Sequence, residues 1–285
     1  MFEPQVYASR RAALVRALGD NGVRDGVVVI LGNNESPMNY AANCFRFWQD
    51  ASFRYFVGID QPRLAAAIDV ASGRAVLYGD DLTMEDIVWT GPQPTVAELA
   101  ARSGISVALP RARLGDDCSA AASRGKGILY LPPYRADMQR ELARLSGRPE
   151  DAVAAGASVQ LIRAAVALRE VKSEAEVAEM ESAVSISVAM HKAAIATARP
   201  GMREAEVSAR VSEVALASGG DVSFPVIATT NAAVLHNLTQ DRPLAEGGLF
   251  LLDAGAQTAS GYAGDLSTTF PIGKRFDRRQ REIYA

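Results

Sequence analysis

The stretch Leu249 to Pro271, LFLLDAGAQTASGYAGDLSTTFP, limits the fold more than any other part of the chain. Two apolar-rich runs each meet an aspartate: Leu249 to Leu252 leads into Asp253, and Tyr262-Ala263-Gly264 leads into Asp265. Between them, Thr258-Ala259-Ser260-Gly261 has the composition of a turn, so a β-hairpin is predicted. Residue 259 is the midpoint of 253 and 265. A hairpin closed there sets Asp253 opposite Asp265, with Cβ atoms about 4.5–5.5 Å apart. Strand side chains alternate, so Asp253 shares a face with Leu249 and Leu251. Opposed carboxylates on an apolar face repel and resist burial. Either one takes up a proton, or a divalent cation with oxygen ligands sits between them, or a bulge slips the register and leaves the pair solvated.

The rest of the chain narrows the class. Its 285 residues suffice for one large or two medium domains, and 48% apolar with 22% charged residues fits a globular protein. A net charge of −3 gives no drive toward nucleic acid or an anionic membrane. The arginines at 10, 11 and 16, and at 278, 279 and 281, fall where solvated helix faces are expected. No apolar run approaches the roughly 20 residues of a membrane helix. The opening MFEPQVYASRRAAL lacks the apolar centre of a secretory signal. Cys44 and Cys118 form no metal-binding spacing, and reduced thiols in a cytoplasmic protein are the expectation.

Taken in order, the first half alternates helix and strand. A helix is predicted over 6–18 and a buried strand over 27–31. Strands follow at 64–70 and 74–78, a helix at 95–101, a strand at 127–130 and a helix at 136–145. This alternation predicts an α/β domain, over residues 1–157. The aromatic-rich run FRFWQDASFRYF reads as core. Residues 148–160, rich in Ala, Gly and Ser, read as a linker, and a second domain is expected over 158–285. There, Ser173 with Glu176 marks the start of a long helix. Val177, Met180, Val184, Val188, His191 and Ile195 step by three and four and predict its buried stripe. Another helix is expected over 204–217. Of the two histidines, His191 on that stripe reads as structural. His236 follows a strand-like run and reads as a loop or strand-end residue, where function concentrates.

The text DAG, GYAGDLSTTFPIGK and QREIY resembles the metallopeptidase signature of the aminopeptidase P (Xaa-Pro aminopeptidase) and prolidase family. Asn39-Tyr40, FRFWQDASFRYFVGIDQP and TGPQPTVAELA are similar to the N-terminal domain preceding the peptidase domain in that family, which implies a mixed sheet with flanking helices. RAAVALREVKSEAEVAEM and ARPGMREAEV resemble the opening of its α+β pita-bread peptidase domain. One departure is Thr268, where the family usually has an arginine. The resemblance implies two divalent ions, Mn²⁺ above all, with Asp253 as the first ligand and Asp265 bridging them. It further implies that a metal-bridging hydroxide attacks the bond before proline and releases the N-terminal residue. His236 would contact substrate or the tetrahedral intermediate. Trp89 would line the active site of a neighbouring subunit. Peptides with an N-terminal Xaa-Pro are the implied partners, and a homodimer or homotetramer the implied assembly.

In the family, one histidine and two glutamate ligands follow in a later segment. No histidine follows His236 here, and Glu282 is the only glutamate after Leu249. The chain therefore resembles the first two thirds of such an enzyme, ending in an incomplete pita-bread domain. It is expected to be inactive alone. Three other readings compete: a prolidase acting on Xaa-Pro dipeptides, a metal-free hydrolase of the creatinase type, and a non-catalytic binding protein on the same scaffold. Asp253 and Asp265 argue against the creatinase type.

Overall fold

The computed structural model describes residues 2–234, 236–273 and 275–284. Packing divides the chain into two compact units, Met1–Val171 and Lys172–Ala285.

In the first unit, α1 (Pro4–Asp20) opens with a proline, whose missing N–H costs nothing in a first turn. The β-branched run becomes β1 (Val27–Leu31). An exposed ribbon, β2 (Pro37–Tyr40) with β3 (Asn43–Cys44), precedes α2 (Ala51–Phe56), where the Asp50 carboxylate accepts the Phe53 N–H at 2.7 Å. β4 (Ala65–Asp69) and β5 (Ala75–Tyr78) form a hairpin. α3 (Met84–Thr90) and α4 (Val96–Arg102) each begin at a capping box, Thr83 with Asp86 and Thr95 with Glu98. Then come β6 (Ala108–Leu109), α5 (Arg113–Ser123), β7 (Ile128–Leu129), α6 (Ala136–Ser146) and α7 (Val159–Glu170).

The strands order as β6-β5-β4-β1-β7, antiparallel in the middle and parallel at both edges. Alternation sends their side chains to two cores. Val28, Ile30, Ile68 and Leu77 pack with α1, α2, α4 and α7. Val29, Leu31 and Tyr78 pack with α5 and α6. This is the mixed sheet with flanking helices that the family resemblance implied. By packing, α7 belongs to this unit through Leu161, Ala164 and Ala165, and the division falls after it.

Three local expectations differ from the structure. Arg10 and Arg11 are buried, not solvated. The Arg11 guanidinium donates to Phe56 O at 2.8 Å, Ser103 O at 2.7 Å and Gly104 O at 3.0 Å, tying α1 to the ends of α2 and α4. Burial lowers its pKa to about 10. The aromatic run splits: Phe53 and Phe56 are core, whereas Phe45 and Trp48, ahead of the helix, are exposed. Helix α5 had no counterpart in the sequence reading. Its buried positions, Leu114, Cys118 and Ala121, have helical spacing but include one large apolar residue.

In the second unit, α8 (Glu174–Thr197) starts where the capping box predicted, with Glu176 accepting from both the N–H and hydroxyl of Ser173 at 2.9 Å. Its buried face keeps only His191 of the predicted stripe. Val177, Val184, Val188 and Ile195 are exposed, while Glu176, Ala183, Ser187, Met190, His191 and Ala194 are buried. Small residues let the helix approach the sheet closely, so the larger valines are turned outward. α9 (Glu204–Ala217) packs beside it. β8 (Asp221–Val222), β9 (Ile227–Thr229), β10 (Leu249–Ala254), β11 (Ala256–Gln257) and β12 (Leu266–Pro271) follow, then α10 (Arg278–Tyr284). The strands form an antiparallel β12-β10-β9 sheet and a β11-β8 pair. Phe250, Leu252, Ala254 and Phe270 pack into the core with α8 and α9.

Candidate metal centre

The hairpin forms, but its register differs from the expected one. Asp253 pairs with Ser267, not with Asp265. The turn is centred on Ser260: Thr258 N–H donates to Tyr262 O and Gly261 N–H to Thr258 O, both at 2.9 Å. Gly261 holds φ at +89°, the left-handed position a three-residue hairpin loop requires. Moving the turn centre by one residue moves every cross-strand partner by two. The pairing continues through Gln257–Ala263 and the Gly264 N–H to Ala256 O bond at 2.8 Å, which sets Asp265 across from Gly255. A shift of two preserves the face, because strand side chains repeat every two residues. By register the two aspartates are thus diagonal neighbours on one face, set wider than a directly opposed pair.

That face is the one away from α8 and α9. Phe250, Leu252 and Ala254 point into the core, and Asp253 alternates with them and is half-buried. Ser267 donates to the Asp253 carboxylate at 2.9 Å, and Ile227 of β9 flanks Asp253 on its other side. Asp265 is exposed. Glycines beside both aspartates are fixed by close packing. A Cβ on Gly255 would collide with Gly264 O and Ser223 Oγ, and one on Gly264 would meet Ser187 Oγ.

His191 braces the strands from the core side, 4% exposed as a structural histidine would be. Its Nε2 lies 3.0 Å from Ala254 O and its Nδ1 2.7 Å from Thr268 Oγ1. A carbonyl only accepts, so Nε2 carries a proton, and Nδ1 shares a hydrogen bond with the Thr268 hydroxyl. Thr268 is thereby occupied with the helix. His236 lies in the loop between β9 and β10 and is exposed. Among the described residues, no hydrogen bond ties it to either aspartate. Trp89, in the first unit, is 82% exposed on α3 beside Val88. The sequence reading passed over Glu204, a buried carboxylate at the start of α9 that accepts hydrogen bonds from Thr229, Thr230 and Arg242. Its signal was a charged residue opening an otherwise amphipathic helix.

Two carboxylates on one sheet face are hard oxygen donors of the kind divalent ions take. Among the described residues, no group of three or more His, Cys, Asp or Glu gathers to hold an ion. No helix of the described residues is long and apolar enough to cross a membrane.

Comparison with known proteins bears on the family and the fold. Residues 7–130 match the aminopeptidase P N-terminal domain, and residues 178–285 match metallopeptidase family M24. A probable Xaa-Pro aminopeptidase of Chaetomium globosum is 28% identical over 266 residues, covering 92% of this chain and 43% of that protein. One of Emericella nidulans is 27% identical, covering 93% and 53%. The chain spans about half the length of the curated relatives it matches. The structure of Pseudomonas aeruginosa aminopeptidase PepP superposes with a TM-score of 0.84 at 25% identity, covering all of this chain and 65% of that one. An Escherichia coli aminopeptidase P variant in complex with substrate shares the fold, with a TM-score of 0.83 at 22% identity and coverage of 100% and 66%. The two family matches lie in the order, and on the units, that the fold displays: this chain resembles aminopeptidase P along its length, with the N-terminal domain matched over residues 7–130 and metallopeptidase family M24 over residues 178–285.

Proposed function

We propose that this chain supplies the N-terminal domain and the first metal ligands of an Xaa-Pro aminopeptidase, an exopeptidase that removes the residue ahead of a proline. The observation that carries this reading is the placement of Asp253 and Asp265 on one open face of a sheet whose fold matches aminopeptidase P along the whole chain. In the reading, both aspartates hold divalent ions, two of them and Mn²⁺ by kind, together with ligands beyond those gathered here. Such ions supply Lewis acidity to the scissile carbonyl and to the attacking water. Asp253, oriented by Ser267, and Asp265 fix where that charge sits. His236 contacts the substrate carbonyl or the oxyanion that develops on it. Trp89 lines the site of a neighbouring subunit in a homodimer or homotetramer. The match of residues 7–130 supports aminopeptidase P over prolidase, which the hairpin alone does not separate. Two free cysteines support a cytoplasmic location.

The test is peptide cleavage with and without Mn²⁺. The purified 285-residue chain is expected to release no N-terminal residue from an Xaa-Pro peptide. A protein of the relatives' length carrying this chain is expected to do so, and to lose the activity with Asp265→Asn. Metal-dependent cleavage by the chain alone overturns the partial-site reading. Absence of Xaa-Pro cleavage by the longer protein overturns the proposed activity.

A further inference from the structure

The loop bearing His236 leaves the sheet after Thr229 and returns through Arg242 before β10. One carboxylate holds both of its ends. Glu204, the first residue of α9, is 1% exposed. Its Oε1 accepts from the Thr230 N–H at 2.6 Å, the Thr230 hydroxyl at 2.9 Å and the Thr229 hydroxyl at 3.2 Å. Its Oε2 accepts from the Arg242 N–H at 3.4 Å. The first turn of α9 completes the grip: Glu204 N–H donates to Arg242 O at 3.1 Å and Ala205 N–H to Gln240 O at 2.8 Å. Gln240 Nε2 in turn donates to Val226 O at 2.6 Å, back on the approach to β9.

A carboxylate withdrawn from water is tolerated when its oxygens are hydrogen-bonded, and a helix N-terminus favours its charge further. Among the described residues of the loop, in contrast, the hydrogen bonds are local. Val234 N–H donates to Asn231 O at 3.2 Å, and Asn237 Nδ2 to Val234 O at 3.0 Å. The course of the loop past His236 is therefore set at its two ends.

We infer that Glu204 is the positioning residue for His236: it clamps the entry and exit of the loop, and so fixes where the imidazole stands above the sheet. The functional weight of this inference rests on His236 touching substrate, as proposed above. Its structural content does not.

The chain holds only two histidines, His191 in the core and His236 on the loop, so imidazole NMR reports on each within one unit. In Glu204→Ala, the His236 signals are expected to move to the shifts and linewidth of an unstructured peptide, with those of His191 unchanged. Amide exchange at Thr230 and Arg242 is expected to quicken by about ten- to a hundredfold. Glu204→Gln keeps one acceptor oxygen for Thr230 and is expected to restore the His236 signals in part. If Glu204→Ala does not fold, Thr230→Val, which removes one bond to Oε1, carries the same test with a smaller shift. An unmoved His236 signal overturns the inference, as does a joint shift of both histidines, which would make Glu204 a support of the whole unit. The substrate reading is tested apart from this. In an active protein carrying the chain, His236→Ala lowers kcat/KM if His236 meets substrate; an unchanged value sinks that reading and leaves the NMR result standing.

Discussion

Ser267 stands directly across the hairpin from Asp253 and donates a 2.9 Å hydrogen bond to its carboxylate. The hydroxyl orients the carboxylate and leaves its charge in place. A hydrogen bond to a charged group is worth about 1.5–3 kcal/mol. On the proposed ligand role, and in a longer protein carrying this chain, Ser267→Ala is therefore expected to weaken divalent-ion binding by no more than about a hundredfold, whereas Asp253→Asn abolishes it. Calorimetric titration with Mn²⁺ measures both, and equal losses would contradict Asp253 as the ligand and Ser267 as its support.

The orientation of α8 is open to a direct check. Val184→Lys, on the exposed side, is expected to change stability by less than about 0.5 kcal/mol. Ala183→Val, on the buried side against Gly264, is expected to cost about 1–3 kcal/mol. Urea unfolding of the two variants distinguishes this packing from the stripe that periodicity suggested.

The two thiols are expected to differ sharply in reactivity. Cys118 is buried on α5, and burial pushes its thiol up to about 11. Cys44 is half-buried at the end of the exposed ribbon. A thiol reagent near pH 8 should label one cysteine promptly and the second only on unfolding. Cys44→Ser should remove the prompt phase.

Lys126 links two carboxylates of the first unit, Asp69 at 2.6 Å and Asp25 at 2.9 Å. Its hydrogen bond, with help from Ser72, holds the Asp69 carboxyl at about 2. In the unfolded chain that group titrates near about 3.9. The folded state thus binds fewer protons between these values. The ion pair contributes stability above about pH 4, and the contribution is lost as pH falls toward 2. Solvent screening keeps it to no more than about 1 kcal/mol. Wild-type and Asp69→Asn proteins should differ in urea midpoint at pH 6 and converge near pH 2. A gap that persists in acid would refute the assignment.

How far the sequence could be read depended on what encodes each feature. β1 and the β4–β5 hairpin were plain because β-branched and apolar runs bounded by glycine have few other uses. The start of α8 was plain because Ser173 and Glu176 satisfy each other within one turn. The buried face of the same helix was not, since periodicity weighs apolar bulk and here small residues hold the interface. Both metal-candidate aspartates were legible, and so was their common face. Their pairing was not, because register follows the turn centre, and Ala259 and Ser260 are equally acceptable there by composition. Glu204 stayed hidden because its partners, Thr230 and Arg242, are distant in sequence and meet it through backbone groups.

The glycines of the hairpin carry a consequence for recognising such chains. Gly255 and Gly264 each sit where any side chain would strike a neighbouring backbone or hydroxyl. Their spelling in DAG and AGD is thus dictated by strand and helix contact, independently of the ions. A related chain whose aspartates drifted would keep both glycines for its architecture. The glycines identify the scaffold, and the acidic pair beside them is the part of the signature that speaks for chemistry.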